Sequence, residues 1–185
     1  MKSIKTILLI VAATFFIIVI GGGMYEHIAI VPKWKQAPPE SLAMFQGKYG
    51  INPGNFWEKI HPVALALLIA ALVANWKTPR KRYILITITG YAVALVVTFL
   101  YFVPELLSII HTPYLAVADN GLIKRAGRWE MFSLIRLGYC FALAVVLLYS
   151  LTKGYETVPA ITKKIKDIKR DDQTYRDIAA LNKFK

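Results

Sequence analysis

The stretch IKTILLIVAATFFIIVIGGGM, Ile4 to Met24, decides the class of this chain. Its apolar residues run without the alternation of a half-buried strand or the polar stripe of a surface helix, and its length matches the ~20 residues that cross ~30 Å of hydrocarbon. It is longer than the apolar region of a typical signal peptide, so it reads as a span that is retained. Hydrocarbon offers backbone N–H and C=O groups no partners, so such a run has to be helical.

Three further runs have the same character, at residues 56–76, 83–103 and 131–151. The whole chain of 185 residues is 56% hydrophobic, with a mean hydropathy of +0.47. The expected fold is all-α: an integral membrane antiparallel four-helix bundle over 1–152, followed by a basic cytoplasmic tail over 153–185. Val158, Ile161, Ile165 and Ile168 have helical spacing behind Pro159, which predicts an amphipathic helix in that tail, either on anionic lipid or solvated.

The net charge of +12 would suggest nucleic acid in a soluble protein. Here the basic residues crowd the ends of the apolar runs and no aromatic stacking array accompanies them, so they read as topology signals. Lys2 and Lys5, the turn Lys77 to Arg82, and the tail from Lys153 together carry more Lys and Arg than the two opposite loops. The positive-inside rule then puts both termini in the cytoplasm, with a bacterial inner membrane as the expected location. Cys140 is the only cysteine, so no intramolecular disulfide or CxxC site exists.

That topology gathers acids and histidines at the outer end. The segment FVPELLSIIHTPYLAVADNGLIKRAGRWEMFSLIR, Phe102 to Arg136, joins the third span to the fourth, and Glu26-His27 and Glu58 to His61 mark the neighbouring span ends. Arg136 lies seven residues past Trp129, roughly 10 Å along a helix. A cation at that depth is expected to face the bundle interior and to pair with an acid, Glu26 or Glu105. The pair reads equally as internal glue or as part of a binding or catalytic site.

Glu58 and His61 have the i, i+3 spacing of a metal-ligand pair, but only one copy is present and Ser133 stands where the second histidine would follow Glu130. They are the candidates for a metal, with Glu26 and Glu105 able to supply further carboxylates, and no metal is the preferred reading. His27 and His111 sit at span edges, which suits haem ligation poorly. No GxGxxG, P-loop, GxSxG or HExxH motif occurs.

Phe102-Val103-Pro104-Glu105-Leu106, Trp129 and Arg136, together with the glycine-rich first span leading to Glu26 and Pro32, resemble the small four-span membrane proteins that include the anthrone oxygenases. The resemblance covers about residues 5 to 152. It implies convergence of Glu26, Glu105, Trp129 and Arg136, and cofactor-independent oxygenation of a small aromatic or quinone-like substrate. Glu26 or Glu105 would then be the base, Arg136 the anion stabiliser and His61 a proton-transfer aid, with Tyr25, Trp57 and Trp129 packing the ring. The rival reading is a non-catalytic accessory subunit or lipid-binding scaffold of a larger membrane complex.

Overall fold

The computed structural model describes residues 2–154 and 166–173. They are helical and loop residues only, with no strand. Four helices are long and apolar enough to cross a bilayer: Ile4–Trp34, Gly54–Ala74, Lys81–Ile110 and Asn120–Leu151. Their outward faces are apolar, with Ile28, Phe99, Leu100 and Ile135 among the exposed residues. That is the reverse of a water-soluble surface, and it is the pattern hydrocarbon requires.

The first, third and fourth helices outrun the spans read from hydropathy by about two to three turns at one end. Glu26, Lys33, Lys124 and Arg128 stop an apolar run but not a helix. The prolines that looked like terminators, Pro32 and Pro104, are absorbed by a common device. Each follows a π-turn, Glu26–Ile30 or Thr98–Phe102, in which the widened ring closes Val31 N–H onto the Glu26 carbonyl and Val103 N–H onto the Thr98 carbonyl. Each proline then opens a fresh α segment, where its missing N–H costs nothing.

The first helix packs on the second and the fourth, the third on the fourth, and the second on the third. Glycine permits a close approach between two of them. A Cβ on Gly90 would stand 2.8 Å from Leu143 Cδ2 and 2.7 Å from the Tyr139 hydroxyl, so the third and fourth helices meet there only because it is absent.

Two apolar clusters result. The larger, around Leu9, Phe16, Leu68, Tyr91 and Leu147, fills the middle of the helices and the end at which the first helix begins. The smaller, around Val31, Trp34, Leu42, Phe102, Ile109 and Trp129, caps the other end. Leu42 reaches it from the connection after the first helix, on a 3-10 turn over Glu40–Phe45. The Asp119 N–H donates to the Pro38 carbonyl at 2.7 Å and ties this connection to the one preceding the fourth helix. Asp119 also caps that helix, accepting from the N–H groups of Gly121 and Leu122.

In the tail, residues 166–173 are helical and Ile168 is exposed. The amphipathic pattern of Val158, Pro159, Ile161 and Ile165 lies outside the described residues.

Candidate functional site

Between the two apolar clusters lies a layer of polar side chains, and both π-turns open onto it. Arg136 is its centre. The guanidinium donates to Thr98 Oγ1 at 2.8 Å and to Ser133 Oγ at 3.0 Å, and it stands over the Phe102 ring at 4.1 Å. Thr98 opens the second π-turn and Phe102 closes it. Ser133 is one turn before Arg136 on the same helix, so its hydroxyl is in reach by helix geometry alone. It also meets His27 Nε2 at 3.1 Å, bridging the fourth helix to the first.

Among the described residues Arg136 has no carboxylate within ion-pair distance. This corrects the expected pairing with Glu26 or Glu105. Glu26 does lie near enough for an electrostatic interaction with Arg136, as do His27 and His61. The Glu26 carboxylate instead accepts a hydrogen bond from Trp57 Nε1 at 2.7 Å. Glu105 is some two turns farther out, where Arg125 grips it through two bonds of 2.9 and 3.0 Å and also reaches Ser108. Of the acids foreseen beside Arg136, the layer holds Glu26 alone.

The chain of contacts continues from Trp57. Its indole stacks on the His61 imidazole, with ring centres 5.1 Å apart and planes 20° from parallel. His61 Nδ1 is 2.6 Å from the hydroxyl of Tyr91, a residue only 1% exposed. Tyr91 in turn packs edge-on against Phe16 in the larger apolar cluster. Above the layer, Trp129 donates its indole N–H to the Phe102 carbonyl at 3.0 Å and stacks near His27. Lys35 pairs with Glu130 beside it. His27 Nδ1 is buried without a partner.

Glu26 also faces outward. A cavity of about 670 Å³, open to the surroundings, is lined by Ile18, Gly21, Gly22, Tyr25 and Glu26 of the first helix and by Ile51 to Pro53 and Phe56 of the second helix and its approach. Gly22 leaves the space in which Phe56 and Trp57 sit against the first helix. Tyr25, foreseen as a ring-packing residue, stands exposed at this groove, whereas Trp129 is buried in the cap and Trp57 lies behind the groove wall.

Glu58 is exposed, its carboxylate turned back toward Gly54, while His61 points to Tyr91. Among the described residues no three His, Cys, Asp or Glu side chains are grouped so as to hold a metal ion. Reasoning from the sequence passed over Thr98, Tyr91 and Arg125. Thr98 and Tyr91 are isolated polar groups inside an apolar run, a signal that exists but does not say which neighbour it serves. Arg125 carries only the signal of a basic residue near a span end, which names no partner. Compared with known proteins, the chain matches no family model, no curated protein and no solved structure.

Proposed function

We propose that the chain is an integral membrane antiparallel four-helix bundle, both termini cytoplasmic, in a bacterial inner membrane, with residues 1–152 as the bundle and the rest as a cytoplasmic tail. Its outer polar layer takes a small aromatic or quinone-like molecule from the bilayer through the Glu26 groove and oxidises it, as the likeness to the anthrone oxygenases implies. The observation that carries this reading is Arg136, a cation beneath the cap with hydroxyls and a ring as partners and, among the described residues, no carboxylate in contact. A structural ion pair would have filled that place with an acid. A guanidinium left in this state favours an anion that arrives with a ligand.

In this reading Glu26, oriented by Trp57, removes a proton from the ring system, and the field of Arg136 stabilises the enolate or phenolate that forms. His61, stacked on Trp57 and bonded to Tyr91, helps to settle the proton. Dioxygen is the oxidant: for an anthrone, one oxygen atom becomes the new ring carbonyl and the other leaves as water with the two hydrogens of the reacting carbon. Tyr25 and Phe56 flank the ring at the groove.

The scaffold reading draws on the Glu105–Arg125 and Lys35–Glu130 pairs, which serve as glue between segments. Those pairs lie outside the Arg136 contacts and bring no carboxylate onto its guanidinium.

The test is oxygen uptake and quinone formation by the purified protein in lipid nanodiscs supplied with anthrone. Glu26→Gln keeps the Trp57 contact and should slow turnover by about 10²-fold or more. A parent protein that consumes no oxygen above the lipid blank, or a Glu26→Gln variant with unchanged turnover, removes the proposal.

A further inference from the structure

The three consecutive glycines of the first helix do not share one reason for being there. A Cβ on Gly22 would stand 2.6 Å from Phe56 Cε1, and one on Gly23 would stand 3.0 Å from Leu137 Cδ1. Those two let the second and fourth helices close on the first. A Cβ on Gly21 would meet nothing within 4 Å. Packing within the chain therefore does not ask for glycine at this position, and helix propensity opposes it, since glycine is worse than alanine in a helix interior. What Gly21 does is line the Glu26 groove.

The groove changes character along its length. On the first helix it runs from Ile18 to Ile30, about 18 Å at the helical rise. Its polar side chains, Tyr25, Glu26 and Asn52, belong to the outer part. Inward of Glu26 the first helix contributes only Ile18, Gly21 and Gly22 to the lining, none of them polar. Ile18 is exposed on the lipid-facing surface, so this inner part leads into the hydrocarbon. A ring seated against Tyr25 and Phe56 beside the acid leaves the two turns from Glu26 down to Ile18 for something else.

We propose that the ligand of the groove is a tailed ring. Its phenolic headgroup lies beside Glu26, and its hydrocarbon chain runs over Gly21 and leaves past Ile18 into the bilayer. Gly21 is bare so that the chain can pass. This deepens the proposed function and rests on its reading of the Glu26 groove as the entrance for the ring.

Charge separates this occupant from an ordinary membrane lipid. No Lys or Arg is among the described residues that line the groove. A phospholipid would bring its phosphate up to the Glu26 carboxylate with no lining cation to answer it, whereas a phenolic hydroxyl is a donor for that carboxylate. The chain exchanges bilayer hydrocarbon for the apolar groove wall and gains only packing. Its part is to orient the ring, so that the hydroxyl-bearing edge meets the acid at the membrane boundary.

The experiment uses the full chain in nanodiscs with two photoprobes, mapped by peptide mass spectrometry. Both are phenols with an alkyl chain of about eight carbons, enough to cover the two turns from Glu26 to Ile18. One carries its diazirine on the ring and the other at the chain end. The ring probe is expected to label Tyr25, Glu26 and Phe56. The chain-end probe should label Ile18 above Val96, an exposed residue of the third helix that gives the lipid background. Excess unlabelled alkylphenol should suppress both.

Gly21→Leu should cut chain-end labelling at Ile18 by about tenfold, to the Val96 level. Its circular dichroism melt should stay at or above that of the parent, since leucine is the better helix former. Gly21→Ala should fall between the two. Gly138→Leu, at a position of the fourth helix where a Cβ likewise meets nothing, should label like the parent.

Chain-end labelling at Ile18 that never exceeds Val96, or that survives Gly21→Leu, overturns the inference. Suppression by excess phosphatidylglycerol as strong as by the alkylphenol would give the groove to a phospholipid, and a parent dimer that Gly21→Leu dissociates would give it to a second copy; either overturns it too. A parent that labels as expected but consumes no oxygen counts against the proposed oxidation alone. One that oxidises anthrone while chain-end labelling stays at background counts against the tail alone.

Discussion

Two arginines, one against the C-terminal end of the fourth helix and one midway along it, are placed by the same fold and held in different ways. Arg80, 3% exposed, donates through Nε to the Lys153 carbonyl at 2.9 Å, through Nη1 to Thr6 Oγ1 at 2.9 Å and through Nη2 to the Leu151 carbonyl at 3.4 Å. It therefore closes the C-terminal end of the fourth helix, whose last carbonyls have no partner within that helix. Asn75 does similar work one turn away, donating to the carbonyls of Lys5 and Ala71. Arg136 sits midway along the fourth helix among two hydroxyls and a phenyl ring, near an acid it does not touch. The first arrangement is a lock, and removing it leaves backbone groups unsatisfied. The second is a charge stationed beside a groove, and its bundle would hold without it.

That contrast sets the expected order of effects on stability. Arg80→Met should cost about 3 kcal/mol, because it strips donors from buried carbonyls. In a detergent melt followed by circular dichroism this corresponds to a fall of roughly 10 °C, and a variant that melts with the parent would break the lock half of the comparison. Gly90→Ala probes the seam between the two arginines. Its Cβ meets Leu143, only 6% exposed and held by the larger cluster, so about 2 kcal/mol should be lost. A stable Gly90→Ala protein would mean that the third and fourth helices do not approach as closely as drawn. Tyr91→Phe sharpens the polar-layer half of the comparison, since it removes one buried hydrogen bond to His61 and leaves the packing on Phe16. The expected loss is about 1 kcal/mol, with a change in the His61 ring resonances by NMR. Unaltered resonances would detach His61 from the Glu26 and Trp57 chain.

The existence and approximate centres of the four long helices were legible in the sequence because hydropathy reports them directly. Their ends were not. Hydropathy stops at Glu26 and resumes only after Arg128, while the backbone stays helical wherever i→i+4 bonds remain available. Pro32 and Pro104 concealed the continuation, since a π-turn is not a pattern of residue types. Within the site, Glu26, His61 and Arg136 could be singled out as polar groups at one end of apolar runs. Their partners could not, because a Trp57 to Glu26 or an Arg136 to Thr98 contact depends on how two helices are rotated against each other. Glu105 shows the limit most clearly: nothing in its own segment distinguishes an acid facing Arg136 from one gripped by Arg125 across the following loop.

The account turns on Arg136 being present for a ligand. Arg136→Met in nanodiscs, measured for both thermal unfolding and anthrone oxidation, tests this directly. The hydroxyls it leaves keep other partners, Thr98 with the Ala94 carbonyl and Ser133 with His27. Melting should therefore stay within about 1 kcal/mol of the parent while turnover falls by about 10²-fold or more. A variant that unfolds as readily as Arg80→Met, or one that oxidises anthrone at the parent rate, would contradict it.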